Sequence, residues 1–158
     1  MKLIAHRGNI TGPDPLRENS LEYIDAAIEL GYDVEIDIRH DPVEQKFYLG
    51  HDDPQYQVSM LWIFLRKDKL WIHTKDSSSL EVLSTSEVDL NYFWHETDKH
   101  TLTSKGFIWS YPGQPHSSNS VIVMPENSDI TKFRESDEVD MNNYDCYAVC
   151  SDYVGKIK

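Results

Sequence analysis

The run Val34-Glu35-Ile36-Asp37-Ile38 restricts this chain more than any other feature. Side chains two apart on an extended strand share a face. Val34, Ile36 and Ile38 therefore point one way, and Glu35 and Asp37 point the other. Two neighbouring carboxylates on a central strand repel each other and are costly to bury without partners. The acidic face must then look either at solvent or into an enclosed polar site. Helices on the outside of the sheet would disfavour the first choice. In the second, a divalent cation held by carboxylate oxygens removes both penalties.

The rest of the chain alternates short β-like runs with polar turns or short helical patterns. Strands are predicted at residues 2–6, 33–38, 69–74, 92–95, 107–110, 121–124 and 146–151, with a hairpin strand at 47–50. Ser20 is placed to cap a helix that runs to Leu30, carrying Leu21, Ile24 and Ile28 on one stripe and ending at Gly31. Shorter helices are expected at about 58–66, 78–83 and 129–135. Strand–crossover alternation argues for a mainly parallel sheet. The 158 residues point to one domain, although a closed eight-fold α/β barrel usually takes about 250. The connections after residue 84 are too short for a full helix each. The fold expected is an α/β, compact TIM-type (β/α) barrel with several helices shortened or missing, an open or incomplete barrel being the alternative. A barrel so bare of helices invites a second copy over its exposed sheet, as a homodimer.

A net charge of −12 repels nucleic acid and anionic membrane surfaces. It repels an anionic substrate as well, unless a cation or a basic patch reverses the field locally. Cys146 and Cys150 would lie about 13 Å apart on an extended strand, at roughly 3.3 Å per residue, beyond the reach of a disulfide. They read as reduced thiols. The N-terminal run is too short for a signal peptide, and the apolar run 60–65 is too short for a membrane span. The expected location is cytoplasmic.

Three clusters carry chemistry. His6-Arg7-Gly8 ends the first strand, with His6 as acid or base, Arg7 as phosphate ligand and Gly8 as the exit turn; the plainer reading is a surface pair. Glu35 and Asp37 are candidate metal ligands. Gly50-His51-Asp52 follows the hairpin strand, and His51 is either a loop histidine or a partner for His6 across the site. Two imidazoles suit phosphodiester cleavage, one taking a proton from the attacking hydroxyl while the other gives one to the leaving oxygen. Later strand ends offer His95, Glu96, Trp109, Tyr111, Glu126 and Asp152. Trp94, Trp109 and Tyr111 form either a wall against a sugar or glycerol or ordinary packing.

Taken in order, His6-Arg7-Gly8, Glu18-Asn19-Ser20, Ala26-Ala27, Gly31-Tyr32-Asp33, Glu35-Ile36-Asp37 and Gly50-His51-Asp52 resemble the glycerophosphodiester phosphodiesterase family. The likeness covers residues 3–52 and fades beyond them, apart from a closing strand that ends in Ser151-Asp152. It implies a TIM-type barrel and a divalent cation, Mg²⁺ or Ca²⁺. It also implies cleavage of a glycerol-linked or similar small phosphodiester, with His6 and His51 as the acid–base pair and Arg7 on the phosphate. One position departs from the family pattern. An acidic metal ligand is expected two residues before Lys75, and His73 stands there instead. His73 as a neutral imidazole ligand would also admit Mn²⁺ or Zn²⁺, with Lys75 on the same face toward the phosphate. The same departure motivates an alternative: a weakened barrel that binds a phosphorylated glycan or lipid headgroup without cleaving it.

Overall fold

The computed structural model describes residues 1–158. One sheet contains ten strands: β1 (Lys2–His6), β2 (Asp33–Asp41), β3 (Lys46–Leu49), β4 (Tyr56–Val58), β5 (Leu70–Thr74), β6 (Tyr92–Trp94), β7 (His100–Leu102), β8 (Ile108–Ser110), β9 (Ser120–Val123) and β10 (Ala148–Ser151). Four α-helices accompany it: α1 (Leu21–Glu29), α2 (Met60–Arg66), α3 (Ser77–Thr85) and α4 (Ile130–Glu135). Seven strands run parallel in the order β6-β5-β2-β1-β10-β9-β8. The β3–β4 hairpin continues antiparallel from the second half of β2, and β7 lies antiparallel on β8. The two ends of the curl meet at Ser104, whose N–H donates to the Tyr92 carbonyl at 2.8 Å and whose hydroxyl accepts from Tyr92 N–H at 3.0 Å.

This is a curled half-barrel of mixed strands, and it corrects the expected TIM-type barrel. Helix makes up only 23% of the residues, too little to wrap eight strands. The reason lies in the connections after α3. Those from β6 to β9 contain no helix, and the one from β9 to β10 contains only the six residues of α4 and one turn of 3₁₀ helix at Pro125–Asn127. The chain fills one of these gaps with a strand, β7. Both β4 and β7 are three residues long and rich in polar groups, so neither announces itself in the sequence.

Three apolar clusters hold the sheet. On its outer face, Val34, Ile36 and Ile38 pack with Ile24 and Ala27 of α1, Ile63 of α2 and Leu83 of α3. Phe133 of α4 joins Val139, Met141 and Ile157 over the outer side of β10. Inside the curl lie Ile4, Trp71, Phe93, Trp109, Val121 and Cys150. Burying a side chain of this size stabilises the fold by about 1.5–3 kcal/mol. Asp33, Glu35 and Asp37 fall on the inner face of β2, and all three are buried. No helix is long and apolar enough to cross a membrane.

Candidate functional site

Parallel strands deliver their C-terminal ends to one rim, and there a cleft of about 430 Å³ opens. His6 and Arg7 from the end of β1, Glu35 from β2, His51 from the loop after β3, His73 and Lys75 from β5 and Trp109 from β8 all line it. Asp37 lies fully buried beneath them. The structure thus brings together the candidates for acid–base, phosphate and metal roles, while Trp94 and Glu126 do not line the cleft.

The inner face of β2 carries its own control. Asp33, at the other end, accepts from Lys2 Nζ at 2.7 Å, Lys69 Nζ at 3.1 Å and Trp71 Nε1 at 3.3 Å. Glu35 Oε2 and Asp37 Oδ1 are equally buried but accept no hydrogen bond. Such orphaned buried acceptors are rare and point to an absent partner. One ligand atom from each of Glu35, Asp37 and His73 lies within 4.8 Å of the others. His73 Nε2 lies 2.8 Å from the His95 carbonyl, which can only accept, so this nitrogen carries a hydrogen. A neutral ring then turns the lone pair of Nδ1 toward the carboxylates, the arrangement of a ligating histidine held by its other nitrogen. These donors fit a small hard cation. Two carboxylates suit Mg²⁺ or Ca²⁺, and the imidazole admits Mn²⁺ or Zn²⁺.

Without a cation, neighbouring side chains share the charge. Arg7 Nε sits 2.9 Å from Asp37 Oδ2, His73 Nδ1 is 3.3 Å from Asp37 and 3.6 Å from Glu35, and Lys75 Nζ is 3.9 Å from Asp37. Burial opposes the ionisation of Asp37, but the adjacent His73 and Arg7 hold its carboxyl well below the usual range. Burial likewise opposes the charge on His73, and the two carboxylates override it, raising the imidazole to about 9.

The two catalytic candidates share one design. His6 Nδ1 lies 2.7 Å from Asp152 Oδ1, and His51 Nδ1 lies 2.7 Å from Asp52 Oδ1. Each carboxylate can only accept, so each ring keeps Nδ1–H on its partner and leaves Nε2 for chemistry. They differ in setting. The His6 side chain is 16% exposed and that of His51 41%. Burial disfavours charge on His6, yet the hydrogen bond to Asp152 and the charge of Glu35 raise its pKa above the ordinary value. The His51 loop is tied to β2 by Arg39, which donates to the carbonyls of Gly50 at 3.1 Å and His51 at 2.5 Å.

On the far wall, Tyr111 stacks on His95 at 5.5 Å, and Trp109 packs on Phe93 at 4.4 Å. Burial lowers the pKa of His95. Trp109 belongs to the inner core as well as the cleft. Glu126 lies outside the cleft; it accepts from Ser151 Oγ and Asp152 N–H, both at 2.8 Å, and so supports Asp152 from behind.

Three groups hold a positioning role that the sequence does not announce, although Glu18 and Asn19 stand in the motif order. Asn19 clamps Asp37 twice, donating from Nδ2 to Oδ2 at 2.9 Å and accepting the Asp37 N–H at 3.0 Å. Its φ of +63° is a conformation asparagine tolerates better than most residues. Asn9 and Glu18 lie beneath His6 and Arg7. Arg7 itself has φ +54°, a strained setting that clusters at functional sites. No protein-family model, characterised protein or solved structure matches this chain.

Proposed function

We propose that the cleft hydrolyses a small phosphodiester, of the glycerophosphodiester type, with His6 and His51 as the acid–base pair. The observation that carries this reading is the matched pair of imidazoles, each with a carboxylate 2.7 Å from Nδ1 and both lining one cleft. The motif order over residues 3–52 supports the same chemistry. Glu35, Asp37 and His73 would hold a divalent cation, which when bound supplies a positive charge to a non-bridging phosphate oxygen. Arg7 and Lys75 add cationic donors beside it, so a diester monoanion meets a favourable local field in a chain of charge −12.

In the first step His51 Nε2 takes the proton of a hydroxyl next to the ester, and that oxygen forms a bond to phosphorus. The bond to the leaving oxygen breaks as His6 Nε2 donates its proton. His6 takes the donor role because its hydrogen bond to Asp152 and the charge of Glu35 favour the protonated ring. This leaves a cyclic diester. A water oxygen then bonds to phosphorus as neutral His6 accepts its proton, and the ring phosphorus–oxygen bond breaks as protonated His51 returns one to the ring oxygen. Both histidines end as they began.

One observation favours a second reading. His73 Nδ1 already sits 3.3 and 3.6 Å from the two carboxylates, so a protonated ring neutralises much of their charge without a metal. The cleft would then bind a phosphorylated glycan or lipid headgroup uncleaved. Phosphorus NMR on a panel of glycerophosphodiesters, with Mg²⁺, Ca²⁺ or Mn²⁺ and with chelator, separates the two. Cleavage that chelator stops and that His6→Ala and His51→Ala each abolish supports the hydrolase. Line broadening without cleavage supports the binding protein. Near-normal turnover in either histidine variant removes that residue from the chemistry.

A further inference from the structure

We propose that Asn9 is a positioning residue for His6, acting through Asp152, in the reaction assigned to the cleft above; it rests on that functional reading. The Asn9 side chain is completely buried. Its Nδ2 donates to Asp152 Oδ1 at 2.8 Å and to Glu18 Oε1 at 2.9 Å, and its Oδ1 accepts from Asp14 N–H at 3.1 Å. This arrangement fixes the sense of the carboxamide. Turned over, it would aim an oxygen at two carboxylates and an NH₂ group at a backbone donor. The backbone locks the same unit, because Asn9 N–H donates to the His6 carbonyl at 2.9 Å after a turn at Gly8, whose φ is +89°.

Asp152 Oδ1 therefore receives two donors from different directions, Asn9 Nδ2 and His6 Nδ1–H. Burial raises the pKa of Asp152, and the His6 and Asn9 hydrogen bonds more than offset it, keeping the group an acceptor. Its backbone is pinned as well, the N–H to Glu126 Oε1 and the carbonyl to Gly12 N–H, both at 2.8 Å. Asn9 supplies the remaining constraint, the rotation of the carboxylate itself. Without it, one hydrogen bond would have to orient both Asp152 and the ring.

The strut continues to the phosphate side. Glu18 Oε2 accepts from Arg7 Nη1 at 3.2 Å. Arg7, Glu18, Asn9, Asp152 and His6 thus form one chain of contacts, joining the cation beside the scissile phosphate to the imidazole that protonates the leaving group. Geometry set at one end is transmitted to the other.

The test compares wild type with Asn9→Ala and Asn9→Ser, the latter keeping one short donor. Long-range proton–nitrogen NMR of the histidine rings, which needs no substrate, reads which His6 nitrogen carries the hydrogen. At a pH high enough for the ring to be neutral, wild type should show it on Nδ1, and Asn9→Ala should show a mixture of both forms. In glycerophosphodiester turnover kcat should fall by about 10–100-fold, as for loss of an outer partner of a functional histidine. KM should stay within about two-fold, since kcat and kcat/KM then fall together. Asn9→Ser should fall between and decides the matter if Asn9→Ala does not fold. An unchanged His6 ring in the folded variant, or a rise in KM at constant kcat, overturns the proposal. Should wild type cleave no diester, the functional reading fails, and the ring measurement still decides whether Asn9 orients His6.

Discussion

Raising the pH should destabilise the metal-free protein through a single imidazole. His73 titrates at about 9 in the folded chain against 6.5 for the free side chain. Below 6.5 the ring is charged in both the folded and unfolded states, and its attraction to Asp37 and Glu35 contributes in full. Above 6.5 the unfolded chain gives up that proton while the folded chain retains it, so stability falls as pH rises and is lost by about pH 9. The span corresponds to about 3 kcal/mol, at roughly 1.4 kcal/mol for each pH unit. In a domain of this size each kcal/mol moves Tm by about 2–4 °C, so Tm should drop by about 6–12 °C between pH 6 and 9.5. Asp37→Asn removes the nearer carboxylate, at 3.3 Å against 3.6 Å for Glu35. It should lower stability at pH 6 by about 3 kcal/mol, the loss of one partner from a buried pair, and should flatten most of the slope. Scanning calorimetry of chelator-treated wild type and variant from pH 6 to 9.5 measures both effects. The raised pKa of His6 tilts both proteins in the same direction, so the comparison isolates His73. Parallel slopes in the two proteins would refute the assignment of the effect to the His73–Asp37 pair.

Mg²⁺, Ca²⁺, Mn²⁺ or Zn²⁺ at about 100 times its Kd should stabilise the fold by about 2.7 kcal/mol, a Tm rise of roughly 5–11 °C; a thermal scan in which Glu35→Gln gains as much as wild type would place the cation elsewhere. Asn19→Ala should cost about 2–4 kcal/mol in urea unfolding, because it strips a hydrogen bond from the buried Asp37 carboxylate and leaves the Asp37 N–H unpaired. Gly50→Ala should displace the His51 loop, since a Cβ there collides with the Asp53 carbonyl and φ is +147°; amide NMR shifts confined to residues 47–56 and at least a roughly tenfold lower kcat are expected, and unaltered spectra would show that the loop accommodates it.

The sequence discloses the faces of β2 because a period of two is a local signal. Outer Val34, Ile36 and Ile38 and inner Glu35 and Asp37 follow from it directly. The strands that end at the rim are legible for the same reason, and so are His6, Arg7, His73 and Lys75. Closure is not local. It depends on whether each crossover packs a helix, and the one from β6 to β8 carries the three-residue strand β7 instead. The support of the site is hidden for another reason. Asp152 reaches His6 across 146 positions and Asn9 across 143, contacts that exist only because β10 lies beside β1. Nothing in the residues around Asn9 marks it. By contrast, the strand end Lys69–Lys75 reads as a possible ligand site in sequence, while the ion pairs of His73 emerge only once β5 is placed on β2.

The three acids on the inner face of β2 separate the two ends of the half-barrel in physical terms. Asp33 has two lysines and an indole N–H, so its end of the curl is electrostatically complete. At the opposite end the basic groups are placed differently. Arg7, His73 and Lys75 approach Asp37 yet leave Asp37 Oδ1 and Glu35 Oε2 without a hydrogen bond. A buried acceptor left unpaired costs about 1–3 kcal/mol, so these two oxygens depend on the charges that approach them. Asn19, Asn9, Glu18 and Glu126 hold the surrounding groups in place, so the polar cavity is preorganised. The proposed phosphodiester chemistry would draw on such preorganisation, which lowers the work of arranging charge around a reacting phosphate. The proposed site therefore falls at the rim where the acids are incompletely matched rather than at the equally acidic but saturated end.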